Sequence, residues 1–376
     1  MLIVGGGIVG LAIAFHLAER GTRGVVVVER AEIASGSTSK ATGGIRQQFT
    51  TEAKIRLSRE SVLFYQDFVE RVGRPLLFRQ IGYLFLLPNA TVFDAFARGV
   101  ALQNQLGVPS EMLDPDELAR RHPMLVLDGY AGGAFCPTDG YATPADAAYA
   151  LASRARELGV QIIEGVDVIA IDRASGRVTG AQTSVGAIST PLLVGAAGPW
   201  AAELGRMVDL DLPVTAHPRQ VFSLSPCPEL PADFPFTVDM ASGVYVHREP
   251  GATLLGGGDR ATPSGGPATL DWSRFEPVAT EAMRWLPAIA DLEARSGWCG
   301  LREMTPDDHP ILGPAPDLEG FWLAVGFSGH GFMHAPAVGR AMADWILTGQ
   351  PVDLDSAAFS LARFAGEPLH IDAALF

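Results

Sequence analysis

The sequence predicts an α/β protein whose parallel-sheet unit is built from both ends of the chain around an inserted, mainly antiparallel α+β section. Three observations predict it. Residues 1–10 form a short apolar strand running into Gly5-x-Gly7-x-x-Gly10, with a helical pattern behind it and Glu29 nineteen residues after Gly10. At the other end, residues 321–325 enter a glycine turn at 326–333, and a helical pattern follows over 335–347. Between the two, residues 213–258 hold short strand-like runs at 220–224, 244–247 and 253–256.

Each part of the opening unit has a physical reason. Gly5 permits a tight strand-to-helix turn, Gly7 lets the backbone approach a pyrophosphate, and Gly10 lets the helix lie close on the sheet. The first helical turn, with Ile8 and Val9, aims N–H donors at phosphate. Glu29, closing the apolar run 25–28, is placed to accept a hydrogen bond from a ribose hydroxyl. Residues 8–20 read as a helix ended by Gly21. With fitting context on both sides, the glycines describe a dinucleotide site.

The Ser/Thr/Gly stretch 35–44 is too polar for a core element and reads as a loop with a task. An amphipathic helix over 55–72 carries Leu57, Val62, Phe64, Tyr65, Phe68 and Val69. A strand at 82–87, a helix at 91–106 and a helix start at Asp114-Pro-Asp-Glu117 follow. Turn chemistry at 137–144 precedes a helix over 145–158, ended by Gly159. Residues 160–164, 166–172 and 178–183 read as strands, and 192–200 as a buried strand ending in small residues that admit a ligand close to the backbone. A helix spans 276–285, and residues 299–310 and 326–333 read as loops.

Bulk properties exclude several classes. The chain has 376 residues, enough for two domains. No apolar run reaches the length of a membrane span, so stable membrane insertion is not expected. A net charge of −14, from 42 acidic and 28 basic side chains, disfavours nucleic acid and anionic membrane. Cys136, Cys227 and Cys299 lie far apart without C-x-x-C spacing, so neither a disulfide framework nor a zinc site is expected. The eight histidines form no helical metal motif, and no metal is assigned. These features, with no secretory signal pattern at residue 1, point to a cytoplasmic protein.

Taken together, Gly5-x-Gly7-x-x-Gly10, Glu29, Gly43-Gly44-Ile-Arg46, Pro137-x-Asp139-Gly140, Gly195-Ala-Ala-Gly198-Pro-Trp200, Gly300-Leu-Arg302, Thr305-Pro-Asp307 and Gly326-Phe-Ser-Gly329-His-Gly331-Phe resemble the D-amino acid oxidase superfamily of FAD-dependent oxidoreductases. The resemblance covers almost the whole chain and is strongest toward glycine oxidase, sarcosine oxidase and proline or sarcosine dehydrogenase catalytic subunits. It implies a glutathione-reductase-type Rossmann FAD-binding domain, residues 1–79, 144–210 and 297–376, and a substrate domain, residues 80–143 and 211–296.

The resemblance also assigns residues. Gly5, Gly7 and Gly10 would hold the pyrophosphate, Glu29 the ribose with Arg30 beside it, and Val168 the adenine. Ser37, Thr38, Lys40, Thr42, Gly43 and Gly44 would run beneath the cofactor toward the isoalloxazine, flanked by Ala197, Gly198, Trp200 and Gly300. Gly329, His330, Gly331, Phe332 and Met333 would meet the flavin's pyrimidine side, where N–H donors stabilise charge on the reduced ring. Arg302 would pair with a substrate carboxylate in two parallel hydrogen bonds, or else form an ion pair with Glu303 or Asp307. Tyr245 would share that carboxylate or serve packing, and Arg46 is a second carboxylate candidate. His247 and His330 are candidates for proton handling, against the plainer role of hydrogen-bonded structural histidines.

Gly300 stands where sarcosine oxidases carry a covalent flavin link, so FAD is expected to be non-covalent, with Cys299 a packing residue. Met333 replaces a carboxylate-binding lysine, and neither Lys40 nor Lys54 matches an oxygen-activating one. The activity implied is FAD-dependent oxidation of a small amino acid or N-substituted amino acid by hydride transfer from Cα to flavin N5. Alternatives are oxidation of a 2-hydroxy acid, which needs a base, and an electron-transferring flavoprotein subunit. The electron acceptor is oxygen or a partner protein, and a homo-oligomer or a heteromeric partner subunit is open.

Overall fold

The computed structural model describes residues 1–258 and 262–365. The end of the 297–376 segment, residues 366–376, therefore lies outside the described residues. A six-stranded sheet runs in the order Ile311–Pro314, Phe321–Val325, Leu193–Gly195, Leu2–Val4, Val26–Glu29, Gln161–Glu164. All pairings are parallel except that of Ile311–Pro314 with Phe321–Val325. Strands from both ends of the chain thus share one sheet, as the two glycine turns implied.

Helix Ile8–Glu19 is buried along Ile8–Ala18, which fits its apolar residues on every side. It packs against helix Gly331–Thr348 so closely that a Cβ at Gly339 would come within 2.7 Å of the Ala12 carbonyl carbon. Gly10 has a similar task, because its Cβ would meet the Gly5 carbonyl oxygen at 2.0 Å. An antiparallel meander, Val168–Ala174, Arg177–Thr183 and Gly186–Ser189, flanks this unit.

The middle of the chain forms an eight-stranded sheet in the order Ala294–Met304, Thr215–Leu224, Ala252–Gly257, Val244–Glu249, Phe236–Asp239, Tyr83–Leu87, Gly132–Cys136, Glu111–Leu113. Its pairings are antiparallel except Phe236–Asp239 with Tyr83–Leu87. One face packs on helix Phe275–Trp285 through Val246, Leu255, Val278 and Trp285. The opposite face turns toward the parallel-sheet unit.

Three expectations need correction. Residues 299–310 do not form a loop from their start, because strand Ala294–Met304 pairs along its length with Thr215–Leu224. Only Cys299 and Glu303 are buried along it, and its end from Gly300 to Met304 lines a cavity, so no alternating hydrophobic pattern marked it. This strand straddles position 297. Residues 35–44 contain a helical turn, Ser37–Lys40, and end in a two-residue strand, Gly44–Ile45, paired with Gly140–Tyr141. The helix expected over 55–72 starts at Glu52 and breaks at Asp67, which caps a short second helix, Phe68–Val72, closed by left-handed Gly73.

Candidate active site

A cavity of about 1170 Å³ lies between the parallel-sheet unit and the free face of the eight-stranded sheet. Ordinary small-ligand sites occupy roughly 300–1,000 Å³, so the space admits an extended cofactor together with a small substrate. Its walls include Gly5, Gly7, Ile8, Val9, Glu29, Arg30, Ser37, Thr38, Lys40, Thr42, Gly43, Gly44, Val168, Ala197, Gly198 and Trp200. They also include Arg46, Tyr245, Gly300, Arg302, Gly329, His330, Gly331, Phe332 and Met333. Two sequence candidates stand outside: Gly10, which serves helix packing, and His247.

His247 is fully buried, stacked on Phe236 at 4.9 Å and edge-on to Tyr141 at 4.2 Å. Burial lowers its pKa, and Glu249, 3.4 Å away, only partly offsets that. Enclosed by aromatic rings, it is kept from the cavity and does not act on a substrate there.

The N-terminal turn is preorganised by side chains from later in the chain. The Gly6 N–H donates to Glu29 Oε2 at 2.8 Å, and the Ile8 N–H donates to Thr38 Oγ1 at 3.0 Å. One donor expected to face phosphate, the Ile8 N–H, is thus already used to shape the turn. Gly5, at φ +117°, has no room for a Cβ, which would lie 2.3 Å from the Ala196 carbonyl oxygen. Ser37 is committed to the Leu301 carbonyl at 2.7 Å, and the Arg30 guanidinium sits 3.9 Å over the Trp200 ring. Gly300 fits because a Cβ there would touch the Lys40 Cβ at 2.8 Å.

The roof comes from one face of the eight-stranded sheet. Tyr245 pairs with Gly256, where a Cβ would lie 2.4 Å from the phenolic oxygen, so the glycine makes space for that hydroxyl. Tyr83 stacks on Phe236 at 4.5 Å, and Phe236 lies 5.2 Å from Tyr245. Arg302 donates from Nε to the Ser328 carbonyl at 3.1 Å and lies flat against Gly329. Burial, then the nearby charge of Arg219, brings its pKa down to about 10, so it remains cationic at neutral pH. Asp307, one of the carboxylates considered as its ion-pair partner, is held by Arg363 at 2.6 Å.

Arg46 is fully buried, with Nη1 donating to the Gln48 carbonyl and its Cζ 4.0 Å over the Phe49 ring. Its Nη2 lies 3.1 Å from His330 Nε2. Arginine can only donate, so Nε2 must accept and the His330 proton sits on Nδ1. Burial, followed by the Arg46 charge, holds His330 neutral, well below its ordinary pKa. The segment is tied down by Asp139, whose carboxylate accepts from the Gln47 N–H at 2.9 Å and from Gln48 Nε2 at 3.2 Å.

Sequence reasoning missed Tyr83, Arg219, Phe236, Glu303 and Asp308, all of which line the cavity. Arg219 and Phe236 lie on strands whose partners could not be read without the sheet order. Glu303 is buried, and burial lifts its pKa from 4.5 to about 7. A carboxyl raised in the folded state stabilises the fold at low pH and loses that contribution as pH rises through about 7. Glu303→Gln is therefore expected to stabilise the chain at pH 8 by on the order of 3 kcal/mol, with little effect at pH 4. Urea midpoints of both proteins across this range measure it.

Residues 1–345 match the DAO family, described as FAD dependent oxidoreductase, and the chain belongs to that family. Among solved structures, the L-proline dehydrogenase of P. horikoshii superposes with a TM-score of 0.92 at 31% identity, covering 98% of each chain. The glycine oxidase of Geobacillus kaustophilus gives 0.86 at 27% identity, covering 96% of this chain and 98% of its own. Mitochondrial sarcosine dehydrogenase of Homo sapiens is 30% identical over 97% of this chain but only 41% of its own length. The chain thus spans less than half of that relative. FAD is the cofactor of the fold, and the cradle at Gly5, Gly7 and Glu29 fits it. No described helix is long and apolar enough to cross a membrane.

Proposed function

We propose that the chain oxidises a small amino acid or N-substituted amino acid, of the glycine, sarcosine or proline type, at its Cα–N bond. The observation that carries the reading is Arg302, a cation in the cavity beneath a roof of Tyr245, Phe236 and Tyr83. FAD, when bound, supplies the hydride acceptor. On this reading Gly5, Gly7, Glu29, residues 37–44 and residues 329–333 hold the cofactor, and the strand ending at Met304 is shared between cofactor and substrate domains.

The residues act mainly by orientation. Arg302, anchored through Nε, offers its terminal N–H groups to the substrate carboxylate, and the Tyr245 hydroxyl shares that oxygen. The aromatic roof excludes water from the amine. The neutral nitrogen uses its lone pair to form the C=N bond as the Cα hydride leaves, and the imine then hydrolyses to a carbonyl compound and an amine. No protein base is required.

The position of His330 weighs against the 2-hydroxy-acid alternative. Its lone pair is taken by Arg46, so it is not available to remove a hydroxyl proton. The three cysteines, far apart in the sequence without C-x-x-C spacing, support a cytoplasmic setting. Anaerobic mixing of the FAD-loaded chain with glycine, sarcosine, proline and lactate tests the reading: bleaching of the flavin by an amine is expected, and bleaching by lactate alone would overturn it. Repeating turnover with oxygen and with an artificial dye separates an oxidase from a dehydrogenase serving an acceptor protein.

A further inference from the structure

Glu303 is buried where two turns that face the cavity meet. Its Oε2 lies 3.3 Å from the point a Gly198 Cβ would occupy, so the glycine leaves room for the carboxyl group. On the other side, the Ser328 N–H donates to the Glu303 carbonyl at 2.7 Å and ties the end of strand Ala294–Met304 to the turn at 326–329. Gly198, Glu303, Ser328 and Gly329 all line the cavity. An acid from the middle of the chain is thus set into the wall that the Gly198 turn and the C-terminal glycine turn build.

The charged neighbours take other positions. Successive residues of a strand alternate between faces, and residues paired across antiparallel strands share one. His217 pairs with Arg302 and Arg219 with Gly300, whereas Ala216 lies opposite Glu303. Lys40 packs on the Gly300 side. Arg302, His217, Arg219 and Lys40 therefore belong to the face that Glu303 does not share. Residues 198–200 and 326–329 carry no ionisable side chain, and His330, which follows, is held neutral. Glu203 and Asp308 line the cavity as well. Among the described residues none of these charges moves the Glu303 carboxyl: burial lifts its pKa to about 7, and the Phe327 N–H opposes that lift.

FAD brings an anionic pyrophosphate and a chain of hydroxyls into this chamber. An ionised carboxylate in its wall repels the phosphates and stays desolvated without a counter-charge. A neutral carboxylic acid has instead an O–H to donate. We propose that Glu303 is an FAD-binding residue, held as the neutral acid and donating its hydrogen to an oxygen of the cofactor's ribityl–pyrophosphate chain. The inference rests on FAD occupying the cavity and is independent of which substrate is oxidised. Because the bound form needs the proton, FAD affinity is level below about pH 7 and falls as pH rises through it.

Equilibrium titration of folded apoprotein with FAD at pH 6 and pH 9, read from flavin fluorescence, tests this without turnover. The wild type should lose roughly tenfold or more in affinity between the two. Mixing at pH 8 in weak buffer should take up most of one proton per FAD bound, read from an indicator dye. Glu303→Gln, neutral at every pH and still a donor, should keep its affinity at pH 9 and take up no proton. Glu303→Leu, neutral but without a donor, should bind FAD roughly tenfold more weakly than Glu303→Gln at pH 6. Wild-type affinity that does not change with pH, or a fall that persists undiminished in Glu303→Gln, overturns the proposal. Equal binding by the Gln and Leu variants also overturns it, because charge repulsion alone would then explain the pH dependence. If a variant failed to fold, proton uptake by the wild type would still decide. Uptake of FAD without these signatures removes Glu303 and leaves the cofactor site intact, whereas no uptake by any of the proteins at either pH removes both.

Discussion

Replacing Arg302 by alanine should leave FAD bound and abolish saturation by carboxylate substrates. The guanidinium is held by the Ser328 carbonyl and lies in the cavity beneath the sheet, so its loss removes a charged partner from a desolvated site. Truncating one member of such a pair costs about 2–5 kcal/mol, and kcat/KM should fall roughly 10²–10³-fold. The measurement is the dependence of flavin reduction on substrate concentration, with the flavin spectrum confirming occupancy. Unchanged affinity in this variant would take Arg302 out of the site.

Gly329→Ala should reproduce much of that loss although it deletes no functional group. Gly329 has φ +86°, and a Cβ there would come within 2.1 Å of Arg302 Nε. The left-handed backbone costs an alanine about 1 kcal/mol, but displacement of the guanidinium is the larger effect. A fall in kcat/KM of at least 10²-fold is expected. The decisive comparison is the double variant: with Arg302 already gone, adding Gly329→Ala should cost little more, because both act through one contact. Full additivity would mean that the two residues work independently.

The contrast between these residues shows what a sequence reveals. The glycines were legible because the steric reason for each is local: Gly5 closes on Ala196 and Gly10 on Gly5, and strand–turn–helix context surrounds them. Arg302 was legible through the motif around it, although the strand that carries it was not. Arg219 and Tyr83 were hidden, because their membership of the site depends on sheet order, with Tyr83 brought to Phe236 by a parallel pairing between distant segments. His247 misled for a related reason. It shares a strand with Tyr245, two residues away, yet Phe236 and Tyr141 cover it. Alternation along a strand tells which face a residue takes, not whether a neighbour lies over it.

Arg46 shows the same limit at shorter range. Its motif placed it at the cavity, but its partners, Gln48, Phe49 and His330, come from its own segment and from the far end of the chain. The residue that reads as a substrate ligand in one dimension lines the cavity and, in three, also meets the neutral histidine at the start of helix Gly331–Thr348.

The central claim is that glycine turns from the two ends of the chain close on one FAD. Titrating folded apoprotein with FAD, followed by flavin fluorescence and absorbance, tests it most directly. Saturation at one FAD per chain, with Gly7→Leu abolishing uptake while the circular dichroism of the fold persists, is the expected result. A correctly folded wild-type chain that takes up no FAD would contradict it.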